Sequence, residues 1–163
     1  CKSRRSAQFA KQHVALYTQP MRRLGIDLGT VRTGVAIAEP EVQVATPLCT
    51  LRHQSLMEAV RQVAALVAER QIQHAIVGMP LRHDGSEGDA ARRVRQFARA
   101  LHTAAGVPVR LWDERLSSVE AQRSLRAQGV RSADQRRMVD QVAATLLLQS
   151  FLDRSRPAPS SET

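Results

Sequence analysis

The stretch from Arg22 to Ala38 constrains the fold more than any other part of this 163-residue chain. It reads Arg-Arg-Leu-Gly-Ile-Asp-Leu-Gly-Thr-Val-Arg-Thr-Gly-Val-Ala-Ile-Ala: a strand ending in an aspartate, a glycine-bearing turn, and a second strand returning beside the first. Alternation puts Leu24, Ile26 and Leu28 on one face and Arg23, Gly25 and Asp27 on the other. Gly29 lets the backbone turn sharply, and Gly34 keeps the opening of the return strand free of side chain. A carboxylate on a stiff strand, with uncrowded backbone around it, suits a divalent cation or a phosphate-bearing ligand. An aspartate that only supports its turn would give the same short motif, so other residues must decide.

Beyond the hairpin, Glu39-Pro40-Glu41 is a turn, and Val42 to Leu51 reads as a third strand interrupted or ended by Pro47. Gln54 to Arg70 is an amphipathic helix with Leu56, Val60, Val63, Leu66 and Val67 at helical spacing. His74 to Met79 is a short apolar run closed by Pro80, the pattern of a buried strand. Leu81 to Gly88 is a polar, glycine-bearing loop, and Ser86 is the expected cap of a helix running to about Thr103. Val107 to Trp112 makes a fifth strand that ends in Asp113-Glu114-Arg115. Ser117 or Ser118 is expected to cap a helix through Gln128, stopped by Gly129. The last helix spans Asp134 to about Asp153, and its Val142-to-Leu152 portion is apolar almost all round, which predicts burial.

This order predicts an α/β fold: a five-stranded mixed sheet, an antiparallel meander of three strands plus two parallel strands, with helices on both faces. The folded domain is expected over residues 21–153. Residues 1–20 read as a disordered leader or extension, with Met21 as the natural start, and residues 154–163 as a disordered tail.

Charge is the strongest bulk signal. Twenty-four Lys and Arg against fifteen Asp and Glu give +9. The excess persists when the first twenty residues, with four bases and no acid, are set aside. A polyanionic partner is expected, because neutralising phosphates releases counterions and speeds encounter. Aromatic content is only 3%, which argues against a single-strand binder built on stacking. Cys1 and Cys49 form neither a disulfide framework nor a metal cluster, which fits a reducing cytoplasm. No apolar run approaches membrane-spanning length.

Three acidic points stand out. Asp27 closes the first strand, Asp113 and Glu114 close the fifth, and Asp140 opens the apolar part of the last helix, with the small Ala143 and Ala144 beside it. Parallel first and fifth strands would bring their carboxylates to the sheet edge where α/β folds place ligands. Carboxylates gathered there repel unless a cation joins them, and oxygen donors without cysteine or imidazole suit Mg²⁺ or Mn²⁺. Two such ions about 4 Å apart activate water and stabilise the leaving oxygen of a phosphodiester. The structural alternatives are ion pairs of Asp140 with Arg136 or Arg137, and of Asp113 with Arg115.

Four ordered blocks resemble the YqgF/RuvX family: Gly25-Ile26-Asp27-Leu28-Gly29-Thr30-x-Arg32-x-Gly34-Val35-Ala36, then Val77-Gly78-Met79-Pro80-Leu81-x-x-x-Gly85, then Asp113-Glu114-Arg115-Leu116-Ser117-Ser118-x-Glu120-Ala121, then Val139-Asp140-x-x-Ala143-Ala144. The resemblance covers about residues 21–153. It implies an RNase H-like fold akin to Holliday-junction resolvases, and a link to 5′-end maturation of pre-16S ribosomal RNA. It also implies Asp27, Glu114 and Asp140 as metal-binding catalytic acids. The resolvases carry an acid on the fourth strand, where this chain has only Gly78 and Met79. The second acid is therefore expected from the fifth strand. Alternation does not choose between Asp113 and Glu114; Glu114 is preferred, with Asp113 orienting it.

Arg32 and Arg115 are the leading candidates for gripping phosphates, with Arg92 and Arg93 in a basic helical band and Arg136 in a second patch. The loop holding His83 and Gly85 could close over substrate. His53, His74 and His102 show no metal spacing and read as structural. The expected activity is metal-dependent hydrolysis of structured RNA (pre-rRNA) or branched DNA, by a monomer or a homodimer, the latter needed to cut a junction symmetrically. Two other classes compete. An actin-like ATP binder also opens with Asp-x-Gly-Thr, but needs two lobes. A non-catalytic ribosome-assembly factor would keep the acids for structure.

Overall fold

The computed structural model describes residues 20–117, 129 and 132–155. Residues 1–19 of the expected leader, the helix expected over residues 118–128, and residues 156–163 of the expected tail lie outside the described residues.

The sheet begins with β1 (Arg23–Leu28), β2 (Arg32–Ala38) and β3 (Ala45–Arg52). Helix α1 (Leu56–Glu69) leads to β4 (His74–Met79), and α2 (Asp89–Ala105) to β5 (Val109–Asp113). A single 3-10 turn, Glu114–Leu116, follows β5, and α3 (Ala133–Ser155) closes the described chain. The strand order is β3-β2-β1-β4-β5. β1 and β2, and β2 and β3, pair antiparallel; β1 and β4, and β4 and β5, pair parallel. The mixed sheet expected from sequence is thus the one observed. Among the described residues no helix is long and apolar enough to cross a membrane.

The two sheet faces are covered separately. Leu24, Ile26, Val35 and Val77 meet Val60 and Val63 of α1 and Val94, Phe97 and Leu101 of α2, all 2% exposed or less. Burial of such a side chain contributes about 1.5–3 kcal/mol. On the opposite face Ala36, Ala38 and Ile76 pack against Ala144, Leu148, Phe151 and Leu152 of α3.

Several local expectations shift. β3 starts at Ala45 rather than Val42 and continues through Pro47 instead of stopping there. Val35 pairs with Cys49 and Ala36 with Pro47, so Leu48 is passed over. This bulge, on an edge strand, accommodates the missing proline N–H. α1 starts at Leu56, where the Ser55 side chain accepts from Glu58 N (3.1 Å), a stronger start signal than the apolar period.

Ser86 does not cap α2. The helix starts three residues later behind Gly88, without a side-chain cap, because residues 81–87 close on themselves first. Leu81 bridges Glu87, and Arg82 N donates to Ser86 O at 3.0 Å. Gly85 N donates to Arg82 O at 2.9 Å, and Gly85 takes a left-handed φ of 84° that disfavours other residues. α3 is less uniformly buried than its composition suggests: Val142 is 38% exposed.

Candidate active site

In the β1–β2 ladder Asp27 lies opposite Gly34, and Gly25 opposite Ala36. Directly opposed residues share a face, so these four make a patch under α3 in which Asp27 is the only side chain larger than a methyl. The helix uses that emptiness. A Cβ on Gly34 would stand 2.0 Å from the Asp140 carbonyl oxygen; one on Gly25 would stand 2.7 Å from Leu148 Cβ and 2.9 Å from the Ala144 carbonyl oxygen. Gly34 therefore sets Asp140 over the sheet beside Asp27. The alanines on the helix side, Ala143 and Ala144, are both fully buried.

The third acid arrives from the other side. Continuing the Ile26–Val77 register by one residue puts Gly78 of β4 alongside Asp27. A Cβ on Gly78 would stand 2.6 Å from Glu114 Oε1, so the glutamate lies across the glycine in space that another residue there would fill. A glycine on β4 is thus what lets a side chain from beyond β5 reach toward β1.

Asp113 does different work. As cap of the 3-10 turn it accepts from Arg115 N (3.0 Å), and its carboxylate takes Arg115 Nη2 at 2.7 Å and Nε at 3.1 Å. The hydrogen-bonded Arg115 side chain holds the Asp113 carboxyl below its ordinary pKa. The Asp113–Arg115 pairing raised as an alternative therefore exists, and Glu114 is the buried acid of the two.

Asp27, Glu114 and Asp140 are 4%, 4% and 5% exposed. Asp140 is paired across the fold and not only within its helix as the alternative had it: Arg32 Nε donates to its Oδ2 at 2.8 Å. Arg32 follows directly from the hairpin turn, which Gly29 N closes on Arg32 O at 2.9 Å. A cleft of about 380 Å³ opens here, with Asp27, Arg32 and Asp140 on one side and Pro80, Asp89 and Arg93 on the other. Arg93 Nη2 donates weakly to Thr30 O (3.4 Å), while its buried Nε has no hydrogen-bond partner among the described residues.

The remaining candidates lie around this cleft. Arg115 Nη1 donates to the carbonyls of Arg82 and His83 (3.4 and 3.3 Å), so it ties the 81–88 loop to the end of β5. A Cβ on Gly85 would stand 3.6 Å from Nη1 of that guanidinium, and His83 is exposed. Arg92 pairs with Asp89 at 2.8 Å, and Arg136 is exposed one turn before Asp140. His53 bonds Thr33 (3.0 Å) and is buried, as is His74. Sequence reasoning passed over Asp89 as a cleft wall, and over Gly78 as the seat for Glu114. Only the absence of an acid on β4 signalled the latter.

The donor set suits a hard cation: three buried carboxylates, with a guanidinium already standing as counter-charge on Asp140. Among the described residues no three His, Cys, Asp or Glu side chains are grouped closely enough to hold an ion as they stand.

Comparison with known proteins agrees with this architecture. "Putative pre-16S rRNA nuclease" of Anaeromyxobacter dehalogenans (strain 2CP-C) is 46% identical over 137 residues, which are 84% of this chain and all of that protein. A protein of the same name from Mycobacterium leprae (strain Br4923) is 44% identical over 164 residues, covering 92% of this chain and 89% of its own. Among solved structures, T. thermophilus RuvC in complex with a Holliday junction substrate matches with a TM-score of 0.52 at 19% identity. The match covers 82% of this chain and 95% of that one, and shows a shared fold. The RuvX family profile, described as Holliday junction resolvase, matches residues 21–154, and the chain belongs to that family.

Proposed function

We propose that this protein is a metal-dependent nuclease that hydrolyses phosphodiester bonds in structured RNA, with the 5′ end of pre-16S rRNA as its substrate. The observation that carries the reading is the seating of three buried acids from three elements along one sheet edge, each beside backbone kept bare by Gly34 or Gly78. Three buried carboxylates destabilise a fold unless they serve a cation.

Asp27, Glu114 and Asp140 would hold Mg²⁺ or Mn²⁺, which when bound supply an activated water and neutralise charge on the phosphate. Arg32 then exchanges Asp140 for a substrate phosphate, because it reaches the cleft from the turn and is already within bonding distance of the acid it must leave. Arg93, from the facing helix, grips a second phosphate with donors that Thr30 only partly engages. Asp113 and Arg115 orient Glu114 and keep the 81–88 loop at the rim. Arg92 and Arg136 carry positive charge on the outer approaches. Contacts of this kind read backbone geometry rather than base identity.

The test is cleavage of end-labelled ribosomal-precursor RNA and of a four-way DNA junction, with Mn²⁺ or Mg²⁺ and with chelator, by the native protein and by Asp27→Asn. Metal-dependent cutting of the RNA, reduced at least 100-fold in Asp27→Asn of unchanged melting temperature, is expected. Cutting of the junction alone would reassign the substrate to branched DNA, the reading that the family description favours. Binding of RNA without cutting would make the protein an assembly factor.

A further inference from the structure

A second cleft lies along the outer side of α2, where the helix meets the edge strand β5. Its volume is about 400 Å³, and its walls include Arg95, Ala98, Arg99 and His102 of α2 and Val109 and Leu111 of β5. Arg92, Arg95, Arg99 and His102 follow one another at three- and four-residue steps, so they form one stripe along the helix. The N-terminal end of the same helix lines the acid cleft through Asp89 and Arg93. From Asp89 to His102 the helix rises about 20 Å, the length of about six stacked nucleotides at ~3.4 Å each.

The stripe is not uniformly neutralised. Arg92 is held by Asp89 and Arg95 by Glu87. Arg99, by contrast, has no ion-pair partner among the described residues. His102 Nδ1 donates to Val107 O at 2.8 Å, which fixes the ring on the groove wall and leaves Nε2 as an acceptor for a ribose hydroxyl. Among the described residues no Phe, Tyr or Trp side chain lines the groove, and Val109 and Leu111 give it an aliphatic wall. Such a channel offers cations to a backbone and a flat apolar strip to sugars, and lacks a stacking platform.

We infer that the α2–β5 groove is an exit track for the sugar-phosphate backbone of the polynucleotide held at the acid cleft, with Arg99 as its distal phosphate contact and His102 as a contact to a ribose hydroxyl. The inference rests on the nuclease reading for the direction of the strand, but its test does not depend on cleavage. With metal chelated, fluorescence anisotropy would follow binding of a labelled 20-nucleotide RNA and of a three-nucleotide truncation, too short to reach Arg99 from the acid cleft, across a salt series. The proteins compared are native, Arg99→Gln, the charge-reversed Arg99→Glu, and His102→Gln. Arg99 is a surface residue, and melting temperature verifies the fold of each variant.

Native protein is expected to bind the longer RNA more tightly. Arg99→Gln should weaken that binding about three- to tenfold and lower the salt slope by about 0.7, the value for one single-strand phosphate contact. Arg99→Glu should lose more, His102→Gln less, and the three-nucleotide RNA should not respond. Unchanged affinity and slope in Arg99→Glu would overturn the proposal. So would an equal loss for both RNAs, which would place the contact at the acid cleft. Asp27→Asn should keep the native slope, so that loss of cutting and loss of the track remain separate results.

Discussion

Phe97, Leu101 and Val94 fill one face of the sheet with bulk, whereas on the other Gly25, Gly34 and Ala36 let α3 lie almost backbone on backbone. The first arrangement gains its stability from volume, and volume can be redistributed among neighbouring side chains. The second has nothing flexible between helix and strand, so any displacement passes directly to the acids. Buried Arg23, Asp27, His74, Glu114 and Asp140 belong to that second side, whereas buried Thr33 bonds His53 on the first. One face holds the fold together; the other holds distances.

The sharpest way to separate the two is to compare Phe97→Ala with Gly34→Ala. The first should cost about 3–5 kcal/mol of stability and leave cleavage per folded molecule unchanged. The second should cost about 1–3 kcal/mol and lower cleavage about 100-fold, because its Cβ meets backbone at 2.0 Å and the helix must move. Calorimetry with active-site-normalised rates checks both; equal rates for the two variants would abolish the distinction.

The next effect comes from acid. Burial first, then the charges of Arg23 and Arg110, lower the His74 pKa to about 4. The unfolded ring titrates near 6.5, so between those values the unfolded chain binds the proton that the folded chain refuses. Stability is full above pH about 6.5 and should fall by up to about 3 kcal/mol as pH drops toward 4. A His74→Leu variant should flatten that part of the melting-temperature profile. A similar slope in the variant would show that other groups carry it.

The smallest change should be the most selective. Gly78→Ala meets the Glu114 side chain, with Oε1 at 2.6 Å and Cγ at 3.2 Å from the new methyl, and that side chain can rotate away at a cost of about 1 kcal/mol. Cleavage should nevertheless drop about tenfold and Mn²⁺ binding weaken, measured by isothermal titration. Native-like metal binding in Gly78→Ala would remove Glu114 from the site.

How much of this was legible in the sequence follows the same division. The aliphatic face announced itself through period: Val60, Val63 and Val67 at helical spacing, and Leu24, Ile26 and Leu28 at strand spacing. The meander, the parallel strands and the helical layers follow from that pattern. The glycine face carries no periodic signal. Gly34 reads as a bare opening to the return strand, with nothing to say what uses the space until Asp140 is seen against it, and Ser86 reads as a helix cap until the loop is seen to close first. Strand alternation could not choose Glu114 over Asp113, because the choice depends on a turn after the strand and on a bare position one strand away. Arg32 reads as a phosphate ligand, and its bond to Asp140 depends on the helix docking that no local window contains.

That bond also bears on the order in which the protein is made. The Arg32–Asp140 contact joins residues 108 positions apart, and α3 is the last described element of the chain. Synthesis proceeds from the N-terminus, so α1 and α2 can pack on their face while the acid face is still bare. Asp27 and Glu114 would then exist on a folded sheet without their third partner. Asp140 joins them only when α3 is made and docked, so the three acids come together as the described chain completes its fold.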